Sequence, residues 1–214
     1  MNDRLRLAEL LAVRLCHDLS GPLGTLMGSL EMVNEEPDAH EEALSLATEV
    51  ATGLARRIRL LRAAWGGPAP SLRVADLQAL SEGLPQGKRV TVRLDDLVQS
   101  GEFRPNAARS MLNVLMLAAE CLPAGGAVAV AGDPADAVVV SLIGSRAAWP
   151  AGLAGWMADE GQAWAAIGDQ GSEASRGLQG PLTALIARAA GMRLGFLMAG
   201  KPEGAPPIIL SPAP

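Results

Sequence analysis

Between Leu7 and Val33 the apolar positions fall at Ala8, Ala12, Leu15, Leu19, Leu26 and Val33, with Leu11, Leu23 and Leu30 beside them. Steps of three and four residues put these side chains on one stripe of a helix. Pro22 lies inside the pattern and Pro37 at its break, within the polar run NEEPDAHEE. Asp38, with Glu41 three residues on, is a capping pattern for a second helix. That helix runs to Trp65 through Ala47, Ala51, Leu54, Ile58 and Leu61, alternating steps of four and three as a heptad seam does. Two amphipathic helices joined by a short loop predict an antiparallel hairpin. One hairpin covers two apolar stripes poorly, whereas two chains together complete a four-helix bundle, so a homodimer is expected.

The breaker cluster Trp65-Gly66-Gly67-Pro68-Ala69-Pro70 ends this pattern. Domain boundaries are accordingly expected at 1–66 for the hairpin and 71–214 for a second domain. In that second segment KRVTVRL (88–94) alternates as a strand, and 104–122 reads as a long apolar helix. Strands are predicted at 126–132 and 137–143 around Gly132-Asp133-Pro134, and again at 192–199 and 208–210. Helices are predicted at 149–167 and 178–190, and a frayed tail at the Pro-rich end (Pro206, Pro207, Pro212, Pro214). The class is α+β: a helical hairpin followed by a two-layer α/β sandwich.

Composition narrows the function classes. Of the 214 residues 49% are hydrophobic and 19% charged, enough to bury a core. A net charge of −5 argues against nucleic acid as a partner. No apolar run reaches the length of a membrane span, and the N-terminus lacks a signal-peptide core, so a cytoplasmic protein without membrane association is expected. Cys16 and Cys121 lack metal-ligand spacing, and no metal or cofactor of the chain's own is expected.

His17 is the candidate reactive group. At about 100° per residue it lies roughly 160–200° from the apolar stripe, facing away from it. Gly21, Gly24 and Gly28 share this outer face, and each mid-helix glycine costs about 1 kcal/mol against alanine. Such glycines suit close approach by another protein's backbone. Leu10 and Val13 are expected to point outward near His17 as an apolar docking patch. Asp18, directly after His17, is a carboxylate able to accept a hydrogen bond from Nδ1–H and leave Nε2 as nucleophile; spacing alone equally fits an ordinary exposed aspartate. An antiparallel hairpin turning near Pro37 brings Arg56, Arg57 and Arg59 level with His17, where they suit an acidic partner pocket. His40, in the acidic turn, reads as a surface residue.

The run Cys16-His17-Asp18-Leu19-Ser20-Gly21-Pro22-Leu23 resembles the H-box of two-component histidine kinases. It is more similar still to the dimeric histidine phosphotransferases of the bacterial cell-cycle relay (ChpT-type). Leu112-Asn113-Val114-Leu115 stands where kinases carry their N-box, and 177–194 resembles a worn G2 segment with its helix. Departures favour a carrier over a kinase. Leu117 replaces the second N-box asparagine that holds Mg-ATP, and an apolar side chain offers no oxygen to Mg²⁺. Gly144-Ser145-Arg146-Ala147 stands in place of the adenine-binding Asp-x-Gly-x-Gly, and a helical stretch from Trp149 to Trp164 replaces the glycine lid. Gly21 occupies the position that serves phosphatase activity in kinases.

The resemblance implies a degenerate kinase-like ATPase domain at 71–214 and a phosphoacceptor at His17, oriented by Asp18. It implies reversible phosphoryl transfer between the receiver domains of a hybrid histidine kinase and of response regulators, with Mg²⁺ on the receiver. Partner docking is expected from Leu10, Val13, Arg14 and Ser20, from Gly21, Gly24 and Gly28, and from Arg56 and Arg59. Two other readings stay open from the residues alone: an ATP-dependent kinase with an unorthodox nucleotide site, and an adaptor whose histidine is never phosphorylated.

Overall fold

The computed structural model describes residues 3–35, 37–67, 70–84, 89–169, 177–197 and 204–214. Helix α1 (Asp3–Glu35) runs unbroken through Pro22, a 3-10 turn (Pro37–Ala39) reverses the chain, and α2 (His40–Trp65) returns alongside it. The expected hairpin is present. The buried face of α2 is Ala43, Ala47, Arg57, Leu60, Leu61 and Ala64, so the seam passes beside Ala51 and Ile58, both of which are exposed.

The α/β part comes next. Its elements are β1 (Leu72–Arg73), α3 (Val74–Ser81), β2 (Val90–Arg93), β3 (Glu102–Phe103), α4 (Pro105–Glu120), β4 (Gly126–Gly132) and β5 (Val138–Ile143). Then come α5 (Leu153–Ala158), α6 (Glu160–Gly168), α7 (Gln179–Ala189), β6 (Met192–Phe196) and β7 (Ile208–Pro212). Five strands form one sheet in the order β2-β4-β5-β7-β6, with β2 and β4 parallel and the other pairs antiparallel. β1 and β3 make a separate antiparallel pair. Helix α4, buried along nearly its whole length, lies against the sheet with α7 beside it. Burial of both faces accounts for the run from Met111 to Ala119, apolar except for the buried Asn113. The class is α+β.

Several boundaries differ from the sequence pattern. The single helix expected at 149–167 is two, because Asp159 adopts extended backbone and accepts a hydrogen bond from Gln162 N at 2.9 Å, capping α6. Helix α3 and the β1–β3 pair lacked enough periodic residues to be read. The last strand continues to Pro212, and Ala213 N donates to Gly191 O at 2.8 Å, so the expected fraying does not begin after Leu210. Lys88, Pro68, Ala69, Met198 and Ala199, included in the sequence readings, lie outside the described residues.

The hairpin and the α/β part share a packed boundary. Leu10 lies with Ala163, Ile167, Leu178, Leu182 and Leu185, flanked by Trp65, Trp156 and Trp164. This corrects the expected outward patch: Leu10 is 2% exposed. The sequence pattern weighed α1 against hairpin helices only, whereas α6 covers a second side of its N-terminal half. Ala8 and Ala12, expected in the stripe, are exposed instead.

Candidate functional site

Leu10, His17, Gly24 and Gly28 fall within about 40° of one another around α1, two turns or so separating Leu10 from His17. The α/β part covers this face at Leu10 and leaves it open at His17, whose side chain is 70% exposed. The imidazole stands at the margin of the boundary, open to solvent.

His17 borders a groove of about 1620 Å³. One wall comes from α1 (Gly21, Pro22, Thr25) and α2 (Thr48, Thr52, Arg56), the other from Glu82, Gly83, Leu84, Arg89 and Pro123. Both parts of the chain therefore face whatever enters. The walls meet closely at Gly83, where a Cβ would stand 2.4 Å from Arg56 O and 2.9 Å from Leu60 Cβ. Only glycine lets that turn lie against the backbone of α2.

Asp18 is drawn to the hairpin's buried side. Its Oδ2 accepts from Arg57 Nη2 at 2.5 Å and lies 3.9 Å from Arg14 Nε. Its other oxygen, Oδ1, is 3.6 Å from His17 Nδ1, in contact but beyond hydrogen-bond distance. Arg57 Nη1 donates to Gly83 O at 3.4 Å. Arg14 pairs with Glu120 at the end of α4 and stands 5.7 Å over the Trp65 ring. Burial pushes the Glu120 carboxyl up, offset in part by Arg14, and burial lowers the Arg57 guanidinium against the pull of Asp18.

The expected docking residues divide. Val13 is 57% exposed, and Ser20, Gly21, Gly24 and Arg59 are exposed, with nothing within 4 Å of where a Cβ at Gly21, Gly24 or Gly28 would stand. Ser20 Oγ donates back to Cys16 O at 2.6 Å. Arg56 lines the groove, its Nε 3.2 Å from Glu82 Oε2. Leu10 and Arg14, expected to meet a partner, are 2% and 4% exposed and serve the internal boundary instead. Arg57, read as a cation available for steering, is buried and committed to Asp18. His40 is exposed, its Nδ1 3.1 Å from Val33 O.

The sequence reading missed the second wall, from Glu82 to Leu84 with Arg89 and Pro123, and missed Glu120 as Arg14's partner. Residues so far from His17 in the chain carry no local signal of meeting it. Cys16 is exposed next to His17, while burial pushes the Cys121 thiol up to about 12. No group of His, Cys, Asp and Glu able to hold a metal occurs among the described residues. No helix among them is long and apolar enough to cross a membrane.

Residues 74–202 match the family model for the histidine phosphotransferase C-terminal domain. A curated relative, the protein phosphotransferase ChpT of Brucella abortus (strain 2308), is 27% identical over 144 residues, 62% of this chain. The match spans 63% of that relative's length. A solved structure described as a bacterial phosphotransferase superposes with a TM-score of 0.69 at 24% identity, covering 97% of this chain and 95% of the other. At that identity the likeness bears on fold.

Proposed function

The chain belongs to the histidine phosphotransferase family, and from that premise we propose that it is a phosphocarrier whose His17 takes a phosphoryl group from one receiver-domain aspartate and gives it to another. The observation that carries this reading is the exposed imidazole of His17 on the rim of a groove that both parts of the chain line.

The chemistry is one displacement run in two directions. The lone pair of His17 Nε2 attacks phosphorus in line as the bond from phosphorus to the donor aspartate oxygen breaks. The electron pair leaves with the carboxylate, and the proton on Nδ1 stays. An acceptor aspartate then attacks the phosphohistidine and the N–P bond breaks. Positioning and charge neutralisation carry most of the catalysis in such transfers. The divalent ion is assigned to the receiver, and the chain supplies no cofactor.

The donor is read as the receiver of a hybrid histidine kinase and the acceptors as response regulators, in the cytoplasm. Residues 1–66 serve as the phosphotransfer unit and 71–214 as a degenerate ATPase-like unit that shapes the groove. Docking is assigned to Val13, Ser20, Gly21, Gly24, Gly28, Arg56 and Arg59. The homodimer stays part of the proposal: Leu23, Met27 and Leu30 on α1 and Ile58 on α2 are each more than 40% exposed in one chain. A second hairpin is the occupant that would cover such a stripe.

Incubation with a purified, radiolabelled phospho-receiver tests the carrier role. Label is expected on the wild-type chain and absent from H17A. Equal labelling of both proteins, or none on the wild type with a panel of receivers, overturns it.

A further inference from the structure

Four charged side chains beside His17 alternate in sign across three helices: Glu120 on α4, Arg14 and Asp18 on α1, and Arg57 on α2. Arg57 is the pivot. Its side chain is 8% exposed, against 70% for His17. One Nη holds Asp18 Oδ2 at 2.5 Å and the other reaches Gly83 O at 3.4 Å. With Oδ2 taken, the carboxylate's remaining oxygen is the one that faces His17 Nδ1, at 3.6 Å. Stability alone does not call for this arrangement, since well-packed apolar residues commonly match or exceed a buried ion pair.

We propose that Arg57 is a positioning residue for phosphotransfer, acting on His17 through Asp18. It fixes the carboxylate so that Oδ1 stays beside Nδ1, which favours the tautomer with Nε2 free. It also takes up much of the carboxylate's negative charge. An uncompensated carboxylate so near would favour imidazolium, which has no lone pair to attack phosphorus. Asp18 is faced by His17 and Arg14 from its own helix, by Arg57 from α2 and, through Arg14, by Glu120 from α4. Removing Arg57 leaves Arg14, at 3.9 Å and already paired with Glu120, as the compensating cation. The inference rests on His17 being the phosphoacceptor.

The test uses the full chain and two donors: a phosphorylated receiver domain, and phosphoramidate, which transfers its phosphoryl group with loss of ammonia and needs no docking surface. R57Q is expected to react about tenfold more slowly with both donors near neutral pH, with KM for the receiver within about twofold of wild type. The acid limb of its rate profile moves to higher pH. R57K, which keeps the charge but not the fork, falls between R57Q and wild type. In a D18N background R57Q causes no further loss. Losses that multiply in the double variant, or an R57Q profile superimposable on wild type, overturn the proposal. If R57Q does not fold, R57K decides: a partial shift in the same direction supports the proposal, and none overturns it. A wild-type chain that no donor labels defeats the carrier reading and this inference together; a labelled wild type with unaltered R57Q defeats the inference alone.

Discussion

Trp65 donates its indole N–H to the side-chain oxygen of Asn113 across 2.9 Å, joining the last residue of the hairpin to the centre of α4. Asn113 is fully buried. Its Nδ2 donates to Ala64 O at 3.2 Å and Arg109 O at 2.9 Å, and its Oδ1 also accepts from Gln179 Nε2 at 3.2 Å. The amide thereby uses two donors and two acceptor sites, its whole capacity. Asn113 thus fastens the two parts of the chain together. N113A leaves Trp65, Gln179 and Ala64 O without this partner. It is expected to lower unfolding free energy by about 1–3 kcal/mol in urea titrations. An unchanged midpoint would mean the amide is dispensable.

The same boundary separates two apolar residues three apart in the sequence. Leu10 is 2% exposed and Val13 57%. L10A opens a cavity between α1, α6 and α7 and is expected to cost about 2–5 kcal/mol, whereas V13A changes stability by less than about 0.5 kcal/mol. Thermal unfolding of the two variants checks the contrast; equal shifts would place Leu10 on a surface after all.

How much of this was legible from sequence depends on how local each signal is. The hairpin, α4 and the central strands declare themselves through periodicity within one segment. The exposure of His17 was likewise readable from its angle to the apolar stripe. Leu10 was misplaced because its angle is that of His17, and only the packing of α6, some 150 residues downstream, distinguishes them. Arg57 is expected from sequence to be a steering cation because an antiparallel hairpin brings it level with His17, with the seam expected to run through Ile58 beside it. The actual burial lies one position earlier, and an arginine there has to be paired. The Glu82–Leu84 wall of the groove depends on a contact across domains, for which one sequence offers no periodic trace.

Glycines test which surfaces are reserved for partners. Nothing lies within 4 Å of a Cβ placed on Gly21, so G21A is expected to stabilise α1 by up to about 1 kcal/mol. If a receiver backbone must approach there, the same change raises the KM for transfer from the receiver while the rate with phosphoramidate stays the same. G83A is the opposite case. Its Cβ would meet Arg56 O at 2.4 Å, so it forces the turn off α2 and lowers stability by about 1–3 kcal/mol. Urea midpoints and transfer kinetics on both variants separate a docking glycine from a packing one.

The pH dependence of stability reports on Glu120. Burial raises its carboxyl above the ordinary 4.5, and the pull of Arg14 offsets only part of this. A carboxyl raised in the folded state binds its proton more tightly there than in the unfolded chain. Its contribution to stability is therefore complete below about pH 4.5 and is lost as pH rises through the folded value. E120Q removes that titration and keeps the side-chain volume. The cost of leaving Arg14 with a neutral partner is the same at every pH in this range, because the guanidinium stays charged. The difference in unfolding free energy, wild type minus E120Q, is thus expected to fall as pH rises from about 4.5 toward neutrality. Urea titrations of the two proteins across that range measure it. A difference that grows with pH would mean that pairing with Arg14 outweighs burial, and that ionised Glu120 strengthens the boundary beside His17.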